Sequence, residues 1–277
     1  MQIENAVMNN LIVYDKSGEK IDIRCKYRNK AVPRFIGGVS VLAILGILYL
    51  DIDWIKLASR IPDMGIVFYK LIHFEFSQID LIAISMADTI SITVLSTFYS
   101  IILGLFFGAL GASNITNKPR FSRFVKSFFT FLREVPTPVW VLLMLVCLGM
   151  GPEAGIAGLC VHTTAFFTKA FSESFENISD DTINALEATG CCKLAVFTNA
   201  VLPSAMSQII SWTGMRFEIN FSECAILGMV GAGGIGFVIS SSIQGYDYGT
   251  AGLAIFIVFI FAFVIERVFV RIKEHIR

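Results

Sequence analysis

Apolar positions gather into six runs along the chain, at about 35–50, 90–112, 135–150, 154–175, 205–221 and 251–270. A helix needs about 20 mostly apolar residues to cross the hydrocarbon layer of a bilayer, so the runs predict six membrane-spanning helices. The first and third are short, and flanking Trp54, Trp140, Arg34 and Arg133 extend them into the interface. Between the first two runs, residues 51–86 mix Trp54, Phe68, Tyr69, Phe74 and Phe76 with charges. This pattern reads either as a helix lying at the interface or as a packed connecting loop. No repeat of 20–50 residues and no low-complexity tract occurs. The expected organisation is a cytoplasmic segment at 1–34, a first spanning helix with an extracytoplasmic interfacial segment at 35–85, and a transmembrane core at 86–277.

Basic residues sort about these runs. Seven Lys and Arg precede residue 35, four lie at 118–126, Lys169 and Lys193 flank the loop after the fourth run, and four close the chain. Lys56, Arg60 and Lys70 alone fall on the opposite side. Cytoplasmic loops retain positive residues, so both termini are expected inside, which requires an even number of crossings.

Composition points the same way. Of 277 residues, 55% are apolar and 16% charged, against about 25% charged in an average soluble domain. Mean hydropathy is +0.70. The formal net charge of zero argues against a nucleic-acid partner. Six cysteines form no CxxC pair and lack histidine at metal spacing, and they read as packing residues. The first 30 residues are polar, so no cleavable signal peptide is expected.

Two local patterns carry chemistry. Gly231-x-Gly233-x-x-Gly236 has the spacing of a dinucleotide-binding turn, but it lies between two spanning runs, where no soluble βαβ unit fits. Glycines at membrane depth instead allow close helix contact or a broken helix lining a cavity. The second pattern is SDDTINALEATGCCKLAVFTNAVLPSA, residues 179–205. Ser179 suits an N-cap, Asp180 and Asp181 suit the positive end of a helix dipole, and Gly190 suits a left-handed helix end. Pro203 suits the first turn of the next helix. The segment therefore reads as helix, glycine turn, helix, then membrane: a knuckle suited to docking a cytoplasmic partner.

The knuckle resembles the loop of ABC importer permeases that reads E-A-A, three residues, G, nine residues, I-x-L-P. Gly190 falls on the glycine, Asn184-Ala185-Leu186 on E-A-A, and Leu202-Pro203 on L-P, with Asn184 and Ala200 standing where the family has Glu and Ile. The resemblance implies an all-α polytopic fold of the type I, methionine-importer-like kind. It also implies that Asn184, Ala185, Leu186, Glu187, Ala188, Thr189, Gly190, Leu202 and Pro203 dock on an ATPase subunit.

A second resemblance is narrower. Arg216-Phe-Glu-Ile-Asn and Leu227-Gly-Met-Val-Gly-Ala-Gly-Gly-Ile-Gly, with Arg133-Glu-Val-Pro-x-Pro-Val-Trp and Gly149-Met-Gly-Pro upstream, are similar to phosphonate-type permeases. Ser222 stands where that subfamily is expected to carry Arg. The similarity covers roughly 86–271. It implies phosphonate or another small phosphorus oxyanion as solute, with methionine or a different anion as the alternative. The implied partners are ABC ATPase subunits, an extracytoplasmic solute-binding protein, a second permease chain in a homodimer, and the lipid bilayer of the inner membrane.

Arg133, Arg216, Glu218 and Asn220 lie within or beside apolar runs, where a charge faces a cavity or a partner. With Gly228, Gly231, Gly233, Gly234 and Gly236 they are the candidates for a translocation pathway or gate. Helix-tying ion pairs from Arg133 and Arg216 to Glu134, Glu218 or Glu223 are the competing role, and His162 reads as a hydrogen-bonded packing residue. No Gly-x-x-x-x-Gly-Lys-Ser/Thr loop occurs, so the chain is expected to bind no cofactor itself, with ATP and Mg held by the partner ATPase. No catalytic constellation supports an enzyme. A secondary transporter would explain six crossings equally well but leaves the knuckle's spacing unexplained.

Overall fold

Helices form where the apolar runs lie, and their lengths follow which neighbours cover them. The computed structural model describes residues 12–14, 20–22, 31–50, 52–116 and 118–276. Most of the basic 1–34 segment, Cys25 included, lies outside these. The chain forms two compact units, Met1–Pro62 and Asp63–Arg277.

In the first unit, β1 (Ile12–Tyr14) pairs antiparallel with β2 (Lys20–Asp22) in the register Ile12↔Asp22. This small hairpin is the exception to an otherwise all-helical chain among the described residues. Helix α1 (Ala31–Tyr49) follows, 19 residues long with no buried residue, and then α2 (Trp54–Ser59), capped by the Asp53 carboxylate, which accepts from Lys56 N–H at 3.0 Å. At 1.5 Å per residue α1 spans about 28 Å, the thickness of a bilayer's hydrocarbon layer.

The second unit holds the remaining helices; α3 (Ile61–Ile72) straddles the boundary. Beyond it run α4 (Ile79–Gly111), the short α5 (Ser113–Thr116), α6 (Pro119–Glu134), α7 (Thr137–Leu148) and α8 (Pro152–Glu176). Then come α9 (Asp180–Glu187), α10 (Lys193–Val196), α11 (Leu202–Leu227), α12 (Ile235–Gln244) and α13 (Tyr248–Ile276). Residues 51–86 thus include α2, α3 and the first two turns of α4. At α13, Gly252 sits so close to the Leu71 carbonyl that a Cβ has no room, and Phe74 stacks on Phe256 with centroids 5.2 Å apart.

Four stretches are long and apolar enough to cross a membrane: Ala31–Tyr49, Ile79–Gly111, Lys193–Ala232 and Tyr248–Glu274. The α6–α7 pair, bent by 85°, is long and apolar enough only when the two helices are taken together. The crossing expected at 154–175 is α8, helical over 25 residues but more polar in composition than these spans. The cause is its place at the centre. Helices α4, α6, α7 and α11 pack around it, and Thr163, Thr164, Thr168, Ser172 and Ser174 are buried along it. A helix covered by protein needs small and hydrogen-bonding residues where a lipid-facing one needs apolar ones. Against α4, that closeness is set by Gly104, where a Cβ would stand 2.5 Å from the Phe167 Cβ.

Helix α4 begins eleven residues before the predicted start at 90. Its extra turns carry Asp80, Ser85 and Asp88, which break the apolar run, while Ile82, Ser85 and Met86 are buried.

Candidate functional site

The knuckle has the predicted order. Helix α9 ends in a turn at Gly190, whose φ of +80° is left-handed, a conformation glycine adopts without steric cost. Nothing lies within 4 Å of the site a Cβ would occupy, so conformation rather than space calls for glycine there. Helix α10 runs through a π-helical turn at Phe197–Val201 into α11, with Pro203 in its first turn. The widened turn accommodates a proline that has no N–H to donate back. Ser179 occupies the N-cap position of α9, but its hydroxyl lies 2.9 Å from Thr182 Oγ1 and makes no bond to a backbone N–H.

Ile183 roots the knuckle, buried with Phe171, Phe175, Val196 and Val201. Around this root Asn184, Ala185, Glu187, Ala188, Thr189, Gly190 and Pro203 are exposed, and Leu186 and Leu202 half-buried. Leu194 is 72% exposed. The candidate docking residues therefore share one mixed apolar and polar surface. Cys191 and Cys192 lie on it, exposed, and Cys147 is exposed as well; the packing role predicted for the cysteines holds for buried Cys224.

The base of the knuckle carries a cluster that the sequence reading missed. Glu176, the last residue of α8 and beyond the apolar run ending at 175, accepts from Ser113 N–H at 2.8 Å and from the Ser113 hydroxyl at 2.7 Å. It also accepts two bonds from Lys126 Nζ, at 2.8 and 3.0 Å. Partial burial raises the Glu176 carboxyl's pKa, but the bonds from Lys126 and Ser113 outweigh it, and the carboxyl ends below its ordinary value. Asn114 donates to the Phe175 carbonyl at 2.9 Å.

A buried polar network joins the helices farther along. Arg216, 4% exposed, donates to Thr163 Oγ1 at 3.3 Å, His162 Nδ1 at 2.8 Å and Glu223 Oε2 at 3.1 Å. The Thr163 hydroxyl donates to Asn220 Oδ1, and Asn220 Nδ2 donates to Thr97 Oγ1, both at 2.9 Å. A guanidinium only donates, so His162 Nδ1 accepts, and the ring proton on Nε2 goes to the Arg133 carbonyl at 3.2 Å. Trp140 Nε1 donates to the Leu132 carbonyl at 3.1 Å. Both carbonyls belong to the last turn of α6, which Pro136 cannot continue, and the two rings supply the missing donors. His162 is thus the hydrogen-bonded packing residue expected.

The pathway candidates separate in space. Arg216 and Asn220 meet in this network, whereas the Arg133 side chain stays a third exposed, 3.7 Å from Glu134, and contributes only its carbonyl. Glu218 lines a different cleft of about 210 Å³ with Glu266 and Lys273.

The glycines form a third feature. After α11, a π-helical turn at Gly228–Ala232 breaks the helix, with φ of +108°, +77° and +75° at Gly231, Gly233 and Gly234. The chain folds back into α12, and a Cβ on Gly228 would stand 2.5 Å from the Gly233 carbonyl oxygen. Ile235 N–H donates to Thr89 Oγ1 at 2.8 Å, anchoring the hairpin on α4. Gly231 faces Met150 and Gly233 faces Pro152, so this hairpin meets the loop before α8.

Residues 100–276 match the family of binding-protein-dependent transport system inner membrane components. The chain belongs to that family. It is a multi-pass inner-membrane component, and its curated relatives are transport permeases. It is 28% identical over 208 residues, 74% of its length, to the phosphate-import permease protein PhnE of Mycolicibacterium smegmatis, and the match spans 39% of that protein. With the phosphite transport system permease protein PtxC of Stutzerimonas stutzeri it shares 26% identity over 76% of each chain. Among solved structures, an inward-facing MetNI methionine ABC transporter superposes with a TM-score of 0.64 at 21% identity, covering 74% of this chain and 100% of that one. This likeness places the helices in the methionine-importer-like arrangement.

Proposed function

We propose that the chain is the permease subunit of an ATP-driven importer for phosphonate, phosphite or a related small phosphorus oxyanion. The knuckle carries this reading. Its glycine turn, exposed face and buried root suit a segment that another protein grips, and its spacing is that of the ATPase-docking loop. The curated phosphate and phosphite permease relatives support the solute class. Asn184 to Gly190 with Leu202 and Pro203 would meet the ATPase, which holds ATP and Mg; the chain itself binds neither. Two permease chains, two ATPase subunits and a solute-binding protein would form the working complex, with both termini of each permease chain in the cytoplasm.

In this reading the ATPase pair binds one arrangement of its two knuckles better than the other, and that difference drives the exchange of inward-open and outward-open states. The Arg216–Asn220 network holds α4, α8 and α11 as one body. The glycine hairpin at Gly228–Gly236, which meets the loop before α8, supplies the movable wall beside the pathway. Arg133 and Glu218, partly exposed on separate faces, are the charged groups open to solute.

Gly190→Pro removes the left-handed turn and adds a ring. It is expected to abolish recovery of the ATPase with tagged permease while leaving membrane insertion intact. Deleting the gene is expected to abolish growth on methylphosphonate or phosphite as sole phosphorus source. ATPase recovery unaffected by Gly190→Pro would remove the docking role, and unaffected growth on both compounds would remove the solute class.

A further inference from the structure

Every force applied at the knuckle must leave it by some route. Chain connections lead only into α8 through Asn177 and into α11 through Val201. Helices α4 and α6 have no covalent link to the knuckle, yet their connecting turn lies against its root, with Ala112 and Ile115 packed in the same cluster as Ile183 and Phe175. An apolar contact of this kind resists compression but slides under shear. A directional tie is needed to pull, and Glu176 has the geometry of one.

We infer that Glu176 is a positioning residue that passes displacement of the knuckle sideways into α4 and α6 through Ser113 and Lys126. The inference rests on the docking role proposed for the knuckle. Three donors from two other segments converge on this one side chain, four residues before α9 begins: the Ser113 N–H and hydroxyl from the turn after α4, and the Lys126 ammonium from the middle of α6. Charge-assisted bonds of this type are short and directional. Lys126 also packs along Gly111, the last residue of α4, so its stem and its charge grip two helices at once. The Ser122 hydroxyl donates to the Gly111 carbonyl, locking α6 to α4 beside it. Asn114 holds the preceding carbonyl, that of Phe175, so the end of α8 cannot swing away from the turn without breaking bonds at two successive residues. Thus α4, α6 and α8 share one joint at the base of the lever, and the bent α6–α7 pair moves with it.

The test uses the full complex, permease with its ATPase and binding protein, in proteoliposomes. ATP hydrolysis and uptake of labelled methylphosphonate and phosphite are measured together. Glu176→Gln keeps the shape but removes the charge that holds Lys126. Uptake per ATP hydrolysed is expected to fall about tenfold, within the range of coupling between sites, with hydrolysis little changed and the ATPase still bound. Lys126→Ala is expected to act alike, and Lys126→Arg to retain most of the ratio. A defect in folding alone would lower hydrolysis and uptake in proportion and would not be relieved by Lys126→Arg. An unchanged ratio in both Glu176→Gln and Lys126→Ala, with the ATPase retained, would overturn the joint and leave the docking role standing. Failure of the wild-type permease to retain the ATPase would overturn both.

Discussion

Arg216→Gln separates a tie from a solute contact. The guanidinium makes three hydrogen bonds, to Thr163, His162 and Glu223, from a site 4% exposed. Bonds to charged groups are worth about 1.5–3 kcal/mol each, and removing one partner of a fully buried ion pair costs about 3–5 kcal/mol. Two features reduce the sum. Glutamine can restore one bond, and the Glu223 side chain is 27% exposed, so water reaches its freed carboxylate. A net loss of about 3 kcal/mol follows, roughly a hundredfold in the folded-to-unfolded ratio and a fall of about 6–12 °C in Tm for a chain of this size. Trp212, one turn away and donating to Ser174 at 3.2 Å, gives an intrinsic fluorescence signal for thermal unfolding in detergent. Thr163→Val should cost about 1 kcal/mol, and the double variant should cost less than the two added, because both break one network. If Tm moves by less than about 2 °C while uptake is lost, the side chain serves the solute and the tie is refuted.

Other expectations follow from packing and charge. Gly158→Ala would place a Cβ 2.6 Å from the Val141 Cα, a backbone atom that cannot rotate away, so α7 and α8 must part. The loss, about 1–3 kcal/mol of overpacking, exceeds the gain of about 1 kcal/mol in helix propensity and should lower Tm. Gly37→Ala, with nothing within 4 Å of the added methyl, should raise it slightly. The Glu176 carboxyl is held below its ordinary value of 4.5, so its contribution is present above that pH and is lost as pH falls through its depressed folded value. A pH series of Tm should therefore flatten in this acid range in Glu176→Gln, and an identical acid limb in both proteins would contradict the assignment.

The knuckle was legible because its signals are local. A glycine that must turn left-handed and a proline that must stand early in a helix act within one or two turns of the chain. The apolar runs were legible for a similar reason, since lipid imposes one requirement on every residue it touches. Helix α8 was legible too, as the run at 154–175, but its central place was not: the buried Thr163, Thr168 and Ser172 that suit its helical neighbours look ordinary in a polar count. Helix α12 escaped for want of length, and α6 because Arg120, Arg123 and Lys126 interrupt the apolar residues along its sequence.

By itself the sequence determined that this chain lives in a membrane, where its main helices run and where its docking segment turns, because hydropathy and backbone conformation are properties of neighbouring residues. The tertiary structure alone decided which polar groups are paired. Asn220 meets Thr97 across 123 positions and Glu176 meets Ser113 across 63. A hydrogen bond is fixed by distance and direction in space, and no spacing along a chain encodes either until the helices have packed.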